Sequence, residues 1–280
     1  MGRQSKRIGA RGAIPLALAA LFACCVASLA DATDNLYRAQ TVVTGQGEAN
    51  RTVGFAACLE DVLIKVSGAL TLAGDPRLAP YKAKAGDFVR AYDYHDQMSG
   101  EAKRDEQGTR DRPYDLVADF DKRKIDDTLA ALGLKPWLSP RPRLGVFVEM
   151  EQGASQYIVT SDAKQSDLQR ESLLAAALKR GMAVALPSVA ALQKSGITPA
   201  ELMAAPVSIL APAVSGRGGD VLLRGHLVWS DQDLGWISEW QMDLRGQLHR
   251  WQFRGVTFDE AFRRALGGAA QILSGNGEAG

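Results

Sequence analysis

Histidine and cysteine are scarce in this chain, and each occurs three times in 280 residues. None of the histidines, His95, His226 and His249, has a second histidine or a cysteine at the short spacing that zinc sites use. No Gly-x-Ser-x-Gly motif marks a nucleophile elbow, although the members of a catalytic triad can lie far apart in a chain. The sequence therefore predicts no metal site and no catalytic residue. His226 is expected on the outer side of a strand, and His249 at a core or edge position.

Complete nucleotide-binding motifs are absent as well. Gly45-x-Gly47 lies between a predicted strand and a predicted helix, but Asn50 stands where a dinucleotide loop has its third glycine. The glycine-rich run over 216–219 lacks the Lys-Ser/Thr pair of a phosphate-binding loop. Both segments are interpreted as plain connections, and no cofactor is predicted.

Charged residues are missing between Gly12 and Ala30, directly after a basic segment at the start of the chain. This uncharged run has an apolar centre and ends with small residues at Ser28 and Ala30. Such a three-part layout is typical of a secretory signal peptide, here with cleavage between Ala30 and Asp31. The sequence therefore predicts an exported protein whose signal peptide spans residues 1–30.

Two other interpretations of this segment stay open. Leu21-Phe22-Ala23-Cys24 is similar to the lipid-attachment motif of bacterial lipoproteins, in which Cys24 would carry the lipid, although Phe22 fits that motif poorly. The uncharged run is also close to the ~20 residues that span a bilayer, so it could remain as an uncleaved anchor. Cleavage is preferred because the apolar stretch continues past Cys24 to a good cleavage site. In each case the chain meets a membrane only through this segment or through a lipid.

Export also changes the chemistry that the rest of the chain can have. Cys58 becomes the only cysteine, so no internal disulfide can form, and its apolar surroundings favour a buried, inert thiol. The signal peptide carries four basic residues and no acidic one, so its removal changes the net charge from +1 to about −3. Because no basic stripe remains, binding to nucleic acid is not expected.

The hydrophobic pattern predicts an α+β protein made of two small α/β-layer domains. The first spans 31–134, and its predicted elements are a strand over 37–44, a helix over 48–67, a looser helix over 75–94, a polar loop over 99–112, a strand over 114–120 and a helix that begins at Asp121. Three prolines predict a linker over 135–143. The second domain spans 144–274 and is followed by a disordered tail over 275–280.

The second domain is predicted as a mixed sheet with the element order β-α-β-α-β-β-β-α. Helices are expected to begin near Ser166, Thr198 and Thr257, where each sequence favours a capping box. The first of these helices is expected to face inward through Leu173, Leu174, Ala177 and Leu178.

Aromatic residues provide the candidate contact sites. Tyr92, Tyr94 and His95 form the densest polar-aromatic cluster, which either lines a ligand groove or forms the amphipathic edge of a strand; the second interpretation is preferred. Trp236 lies beside a polar loop and is expected to be the most exposed tryptophan. Because exposed tryptophan is enriched at interfaces, Trp236 is the best single contact candidate.

Several segments resemble a known family. They are 37–43, 63–68, 179–187, 220–227 and the Gly235-Trp236-x-x-x-Trp240 pattern. Over nearly the whole mature chain they resemble an exported proteobacterial family catalogued only as a domain of unknown function (domain of unknown function 2066). This resemblance implies a periplasmic or secreted protein of a Gram-negative bacterium and brings no site residues. The second half is also similar in element order to α+β domains of envelope assembly factors, such as the amino-terminal domain of the Tol translocation component.

Two functions follow from these observations. The favoured one is a non-catalytic periplasmic or envelope-associated module that binds an unknown envelope protein or helps an assembly. The alternative is a small-ligand binder or hydrolase with its site in the cleft between the domains, where pockets often lie.

Overall fold

The computed structural model describes residues 35–99, 104–105, 108–109, 112–139, 141–215 and 219–279. Cys24, Ala30 and Asp31, and with them the predicted signal peptide, lie outside the described residues. Most of the predicted polar loop over 99–112 also lies outside them, and its described parts are two short paired strands. None of the helices in the described ranges is long and apolar enough to cross a membrane.

The first half of the chain forms a three-stranded antiparallel sheet covered by helices. Its strands and helices are β1 (Arg38–Thr44), α1 (Glu48–Ser67), α2 (Ala79–Lys82), β2 (Val89–Asp96), the short pair β3 (Arg104–Asp105) and β4 (Gly108–Thr109), β5 (Pro113–Phe120) and α3 (Lys122–Ala131). The strand order is β1-β5-β2, which leaves β1 and β2 at the edges. We call this half the small layer.

Helix α1 is the main support of the small layer. Its apolar residues recur at helical spacing, and Cys58, Leu59 and Val62 are fully buried. The helix ends at Gly68, whose positive φ of 76° is the left-handed conformation that glycine adopts easily. The predicted helix over 48–67 is confirmed, and so is the predicted α3, which Asp121 caps by accepting a hydrogen bond from the Lys124 backbone N–H.

The predicted helix over 75–94 is wrong in its second half. Short helical turns extend only as far as Phe88, and Val89–Asp96 form strand β2. Pro76, Pro80 and Gly86 interrupt a continuous helix in this region, because proline lacks a backbone donor and glycine weakens helices. Pairing with β5 along most of β2 then decides the outcome.

The second half forms a mixed sheet, as predicted, and the sheet has six strands where five were expected. Its elements are β6 (Leu144–Gln152), β7 (Ser155–Ile158), α4 (Asp167–Lys179), β8 (Val184–Ala185), α5 (Val189–Ser195), α6 (Val207–Ser215), β9 (Val221–Ser230), β10 (Gly235–Leu244), β11 (Gln247–Val256) and α7 (Phe258–Ser274). The order is β11-β10-β9-β6-β7, with β8 also paired to β6. Strand β6 runs parallel to β8 and β9, and the other pairs are antiparallel. The β7 hairpin strand is an addition to the predicted order. The single helix expected to begin near Thr198 is also wrong, because Pro199–Glu201 form only a short 3-10 turn and two helices, α5 and α6, lie on either side of it.

The two faces of this large sheet are covered unequally. One face packs against α7 and α4 and forms a core around Trp240, Phe262 and Leu266. Within the described residues, the other face is covered only at one end, where the segment over 189–215 packs on Phe147 and Leu222. We call the second face the half-covered face. Its remaining part carries polar side chains of β6, β9 and β10.

Helix α4 buries a different stripe from the one predicted. Leu173 is buried as expected, together with Ala176 and Ala177, but Leu174 and Leu178 are 47% and 63% exposed. The expectation that these two leucines point inward is therefore wrong. The helix is apolar on several sides, so spacing alone does not identify the buried one. Small alanines at the contact allow α4 to approach α7 closely.

Arg141 joins the small layer to the large sheet. Its guanidinium donates hydrogen bonds to the carbonyl oxygens of Lys65 at 2.6 Å, Arg180 at 3.1 Å and Trp137 at 2.6 Å, and it stacks on the Trp137 ring at 4.2 Å. Burial lowers the pKa of Arg141 to about 10. Arg141 is thus one of the residues that connect the two parts. The predicted division into two domains around 135–143 stays a prediction.

Candidate functional site

A charged cleft lies where the small layer meets the large sheet. It has a volume of about 400 Å³. Helix α1 contributes Asp61, the end of α4 contributes Lys179 and Arg180, and the start of α7 contributes Glu260 and Arg263. We call this place the junction cleft.

Ion pairs neutralise most of the charge in the junction cleft. The Lys179 Nζ lies 2.8 Å from an Asp61 carboxylate oxygen. Glu260 binds Arg263 and Arg264, with N–O distances of 2.7 and 2.6 Å. Burial acts against ionisation of Glu260, but the hydrogen bonds from these two arginines outweigh it and hold its pKa below the usual value.

Arg180 is the exception in this cleft. The residue is only 8% exposed, and burial lowers its pKa, although Asp61 acts in the opposite direction. Its Nη1 lies 3.8 Å from Asp61, beyond hydrogen-bond distance. Nε and Nη1 are both buried and have no hydrogen-bond partner in the described residues. Two unpaired donors of a buried cation are unfavourable unless an acceptor binds them.

A second cluster lies on the open part of the half-covered face. Glu149 and Glu151 are two positions apart on β6, so their side chains point to the same side of the sheet. His226 is the register partner of Glu149 on the parallel strand β9. The His226 Nε2 lies 3.2 Å from Glu151 Oε2 and 3.7 Å from Glu149 Oε1. Parallel pairing of distant segments therefore brings together two carboxylates and one imidazole, a set that can hold a metal ion.

The structure places Trp236 in the core. It is 8% exposed and meets Trp229 edge to face, with 5.6 Å between the ring centroids. The expectation that Trp236 is the exposed tryptophan is wrong, because β10 turns this residue toward α7 together with Trp240. Its polar sequence neighbours belong to the adjoining turn, so they do not indicate the direction of its own side chain.

Tyr92, Tyr94 and His95 do not converge on one site. All three lie on β2, an edge strand of the small layer, which agrees with the preferred interpretation as an amphipathic edge. Strand alternation places both tyrosines on one side, where Tyr92 packs edge to face on Phe55 at 5.3 Å. His95 is exposed on the other side. Tyr92 itself is 48% exposed and remains a candidate surface contact.

Two structural expectations about single residues are confirmed. Burial raises the pKa of the Cys58 thiol to about 12, and the side chain is fully buried, as expected of an inert thiol. His249 is 8% exposed, and its Nδ1 lies 2.7 Å from a carboxylate oxygen of Glu278. It is therefore a histidine with a structural partner.

Comparison with known proteins adds one match. A family model described as "Domain of unknown function (DUF8605)" matches residues 30–138, which include the small layer and the start of the connection to the large sheet. This family is not the one that the sequence was said to resemble, domain of unknown function 2066, but it is likewise a domain of unknown function. No match was found among curated proteins or among solved structures.

Proposed function

We propose that the protein is exported to the periplasm of a Gram-negative bacterium and acts there, without catalysis, as a module that binds another envelope protein. The predicted signal peptide supports export. The family match supports it as well, because it begins at residue 30, where the predicted signal peptide ends.

The observation that carries the interaction is the outward side of α4. Leu168, Leu174 and Leu178 are 68%, 47% and 63% exposed, and Leu174 and Leu178 are one helical turn apart. Single exposed leucines are common, but several on one short helix form an apolar surface that favours protein contact. Glu171 adds a negative charge to the same helix, whereas the charge of Asp167 is paired with Arg170.

The size of this surface indicates the kind of contact. A helix of 13 residues is about 20 Å long and about 10 Å wide, so its outward side offers about 200 Å². Stable complexes bury about 800 Å² on each partner. The leucines are therefore suited to a transient contact with an apolar segment of another envelope protein, and they are too few to hold a permanent dimer of this chain.

Site-specific photocrosslinking tests this proposal. A benzophenone amino acid at position 174 should give a discrete adduct in living cells, and Leu178→Ser in the same chain should reduce its yield. The matched control is position 53, because Val53 is a 71% exposed aliphatic residue on another helix, α1. Equal adducts from both positions, or an adduct that is only the dimer of this chain, would contradict the proposed contact. A chain that remains in the cytoplasmic fraction would contradict export.

A second function, binding of a small anionic ligand in the junction cleft, is favoured by the unpaired donors of Arg180. After a small shift of the Arg180 side chain, a carboxylate or phosphate group in the cleft would accept a hydrogen bond from one of these buried N–H groups and offset part of the cost of its burial. Inorganic phosphate and succinate serve as calorimetric probes. Binding should be lost in Arg180→Gln and kept in Arg77→Gln, because Arg77 is a surface residue paired with Asp75 outside the cleft. This function fails if neither probe binds the wild-type protein, or if Arg180→Gln binds them equally well.

A further inference from the structure

The cluster on the half-covered face is unrelated to the α4 surface and to the junction cleft. We propose that Glu149, Glu151 and His226 bind one divalent ion of a first-row transition metal. This assignment departs from the sequence, which predicts no metal because its histidines have no partner at short spacing.

The distances fit a shared ion. For metal–ligand bonds of about 2.1 Å, two ligand atoms lie about 3.0 Å apart at a right angle and about 3.4 Å apart at a tetrahedral angle. The measured separations from His226 Nε2 are 3.2 Å to Glu151 and 3.7 Å to Glu149. The three ligand atoms all lie within 4.8 Å of one another. Glu151 is half-exposed, so a small rotation of its side chain can close the remaining gap.

Burial and charge also favour a cation. Glu149 is 3% exposed, and a buried carboxylate is unfavourable without positive charge nearby. The cluster contains two carboxyl groups and a single imidazole, so acidic groups outnumber basic ones. Arg224 precedes His226 on the same side of β9, but its Nη1 donates to the carbonyl oxygens of Met203 and Ala205. A divalent ion would neutralise the excess negative charge.

The surroundings leave the site organised and accessible. The Gln156 Nε2 donates a 2.6 Å hydrogen bond to Glu149 Oε1 and fixes the orientation of this carboxylate, as outer partners of metal ligands do. The segment over 189–215 packs on the other end of the sheet face and does not bury Glu151 or His226. Three protein ligands with an accessible side leave positions for water, as in open zinc sites.

The donor set indicates which ions bind. Imidazole nitrogen suits zinc, copper, nickel and iron, whereas calcium and magnesium prefer oxygen ligands. The site should therefore bind Zn²⁺ and Co²⁺ and discriminate against Mg²⁺.

Titration of the exported, metal-depleted protein tests the assignment. Calorimetry should show one Zn²⁺ per chain with no competition from Mg²⁺ at the same concentration, and Co²⁺ should give visible absorption bands of a nitrogen–oxygen site. Glu151→Gln and His226→Gln should each weaken Zn²⁺ binding at least about tenfold, since loss of outer partners alone costs that much elsewhere. Glu151→Gln alters a half-exposed side chain, so this variant should still fold. A midpoint of unfolding close to that of the wild type, both measured without metal, verifies this.

Two matched variants serve as controls. Glu239→Gln removes an exposed carboxylate that is the cross-strand partner of His226, and His95→Gln removes an exposed histidine of the small layer. Both should keep wild-type affinity. The proposal is overturned if wild-type protein binds no Zn²⁺, if Glu151→Gln binds it as tightly as wild type, or if His95→Gln weakens it equally. None of these results depends on whether the protein has an envelope partner.

Discussion

Replacement of Gly225 by alanine should destabilise the large sheet, because the Trp240 ring occupies the space above this glycine. Gly225 and Trp240 are cross-strand partners on β9 and β10. A Cβ at position 225 would lie 2.3 Å from Trp240 Cζ3 and 2.6 Å from Cε3. Carbon atoms in favourable contact lie about 3.5–4.0 Å apart, so the ring must move by about 1 Å. Trp240 is 1% exposed, and neighbouring core residues resist that movement.

The expected magnitude follows from two opposing effects. Overpacking a core costs about 1–3 kcal/mol, and the reduced freedom of the unfolded chain returns about 0.4–1 kcal/mol for a glycine-to-alanine change. We therefore expect a net loss of about 1–2 kcal/mol in the free energy of unfolding. Urea unfolding followed by circular dichroism measures this loss as a lower midpoint.

Gly86→Ala is the matched control for this measurement. Its Cβ would meet its nearest neighbour, Phe55, at 3.9 Å, an ordinary contact, so stability should stay within about 0.5 kcal/mol of wild type or rise slightly. Trp240→Leu removes the ring that causes the clash. In this background, Gly225→Ala should therefore lower the free energy of unfolding by less than it does in the wild type, with a difference of at least about 0.5 kcal/mol. Equal stability of Gly225→Ala and Gly86→Ala would refute the predicted clash.

Three further predictions concern other parts of the chain. Arg141→Met should lower the free energy of unfolding by about 3 kcal/mol, because several buried carbonyl groups lose a charged donor; a change under about 0.5 kcal/mol in urea unfolding would contradict this. Burial lowers the pKa of Lys65 from 10.5 to about 8, so between these two pH values the unfolded chain binds one proton more than the folded protein. The free energy of unfolding of the wild type should therefore rise with pH in this range relative to that of Lys65→Met. Parallel plots of unfolding free energy against pH for the two proteins would contradict this. Mass spectrometry of the exported protein should find Asp31 as its first residue, and Cys24→Ser should leave processing unchanged; loss of processing in this variant would indicate lipidation instead.

Local sequence signals predicted those elements whose own residues decide their structure. Helix α1 has a strict apolar spacing and a glycine at its end, and both ends of the helix agree with the sequence. The start of α7 was also predicted by a local signal, the cap residue Thr257, whose side chain accepts a hydrogen bond from the Glu260 backbone N–H at 3.2 Å. Such caps and spacings act over four residues or fewer, so they can be recognised without knowledge of the fold.

Features decided by distant contacts could not be predicted in this way. Strand β2 is a strand because β5 lies beside it, and the outward leucines of α4 are exposed because alanines make its contact with α7. The candidate metal cluster is the clearest example. Glu151 and His226 are 75 residues apart in the chain, and only the parallel pairing of β6 with β9 brings them together. The alternation of Glu149 and Glu151 was visible in the sequence, but nothing local connected it with a histidine.

The end of α1 has a consequence for the order in which the protein is completed during synthesis. The last carbonyl groups of a helix have no partner within it. Here residues from later in the chain donate the missing hydrogen bonds. The Arg141 guanidinium donates to the carbonyl oxygen of Lys65, and the Trp137 backbone N–H donates to that of Val66 at 2.7 Å. The Asn276 side chain donates to the carbonyl oxygen of Ser67 at 2.9 Å. A growing chain can therefore form most of the small layer early, but it finishes this helix end only when Asn276 has been synthesised. A fragment that stopped at residue 138, where the family match ends, would keep Trp137 but lack Arg141 and Asn276, two of the three donors at the end of α1.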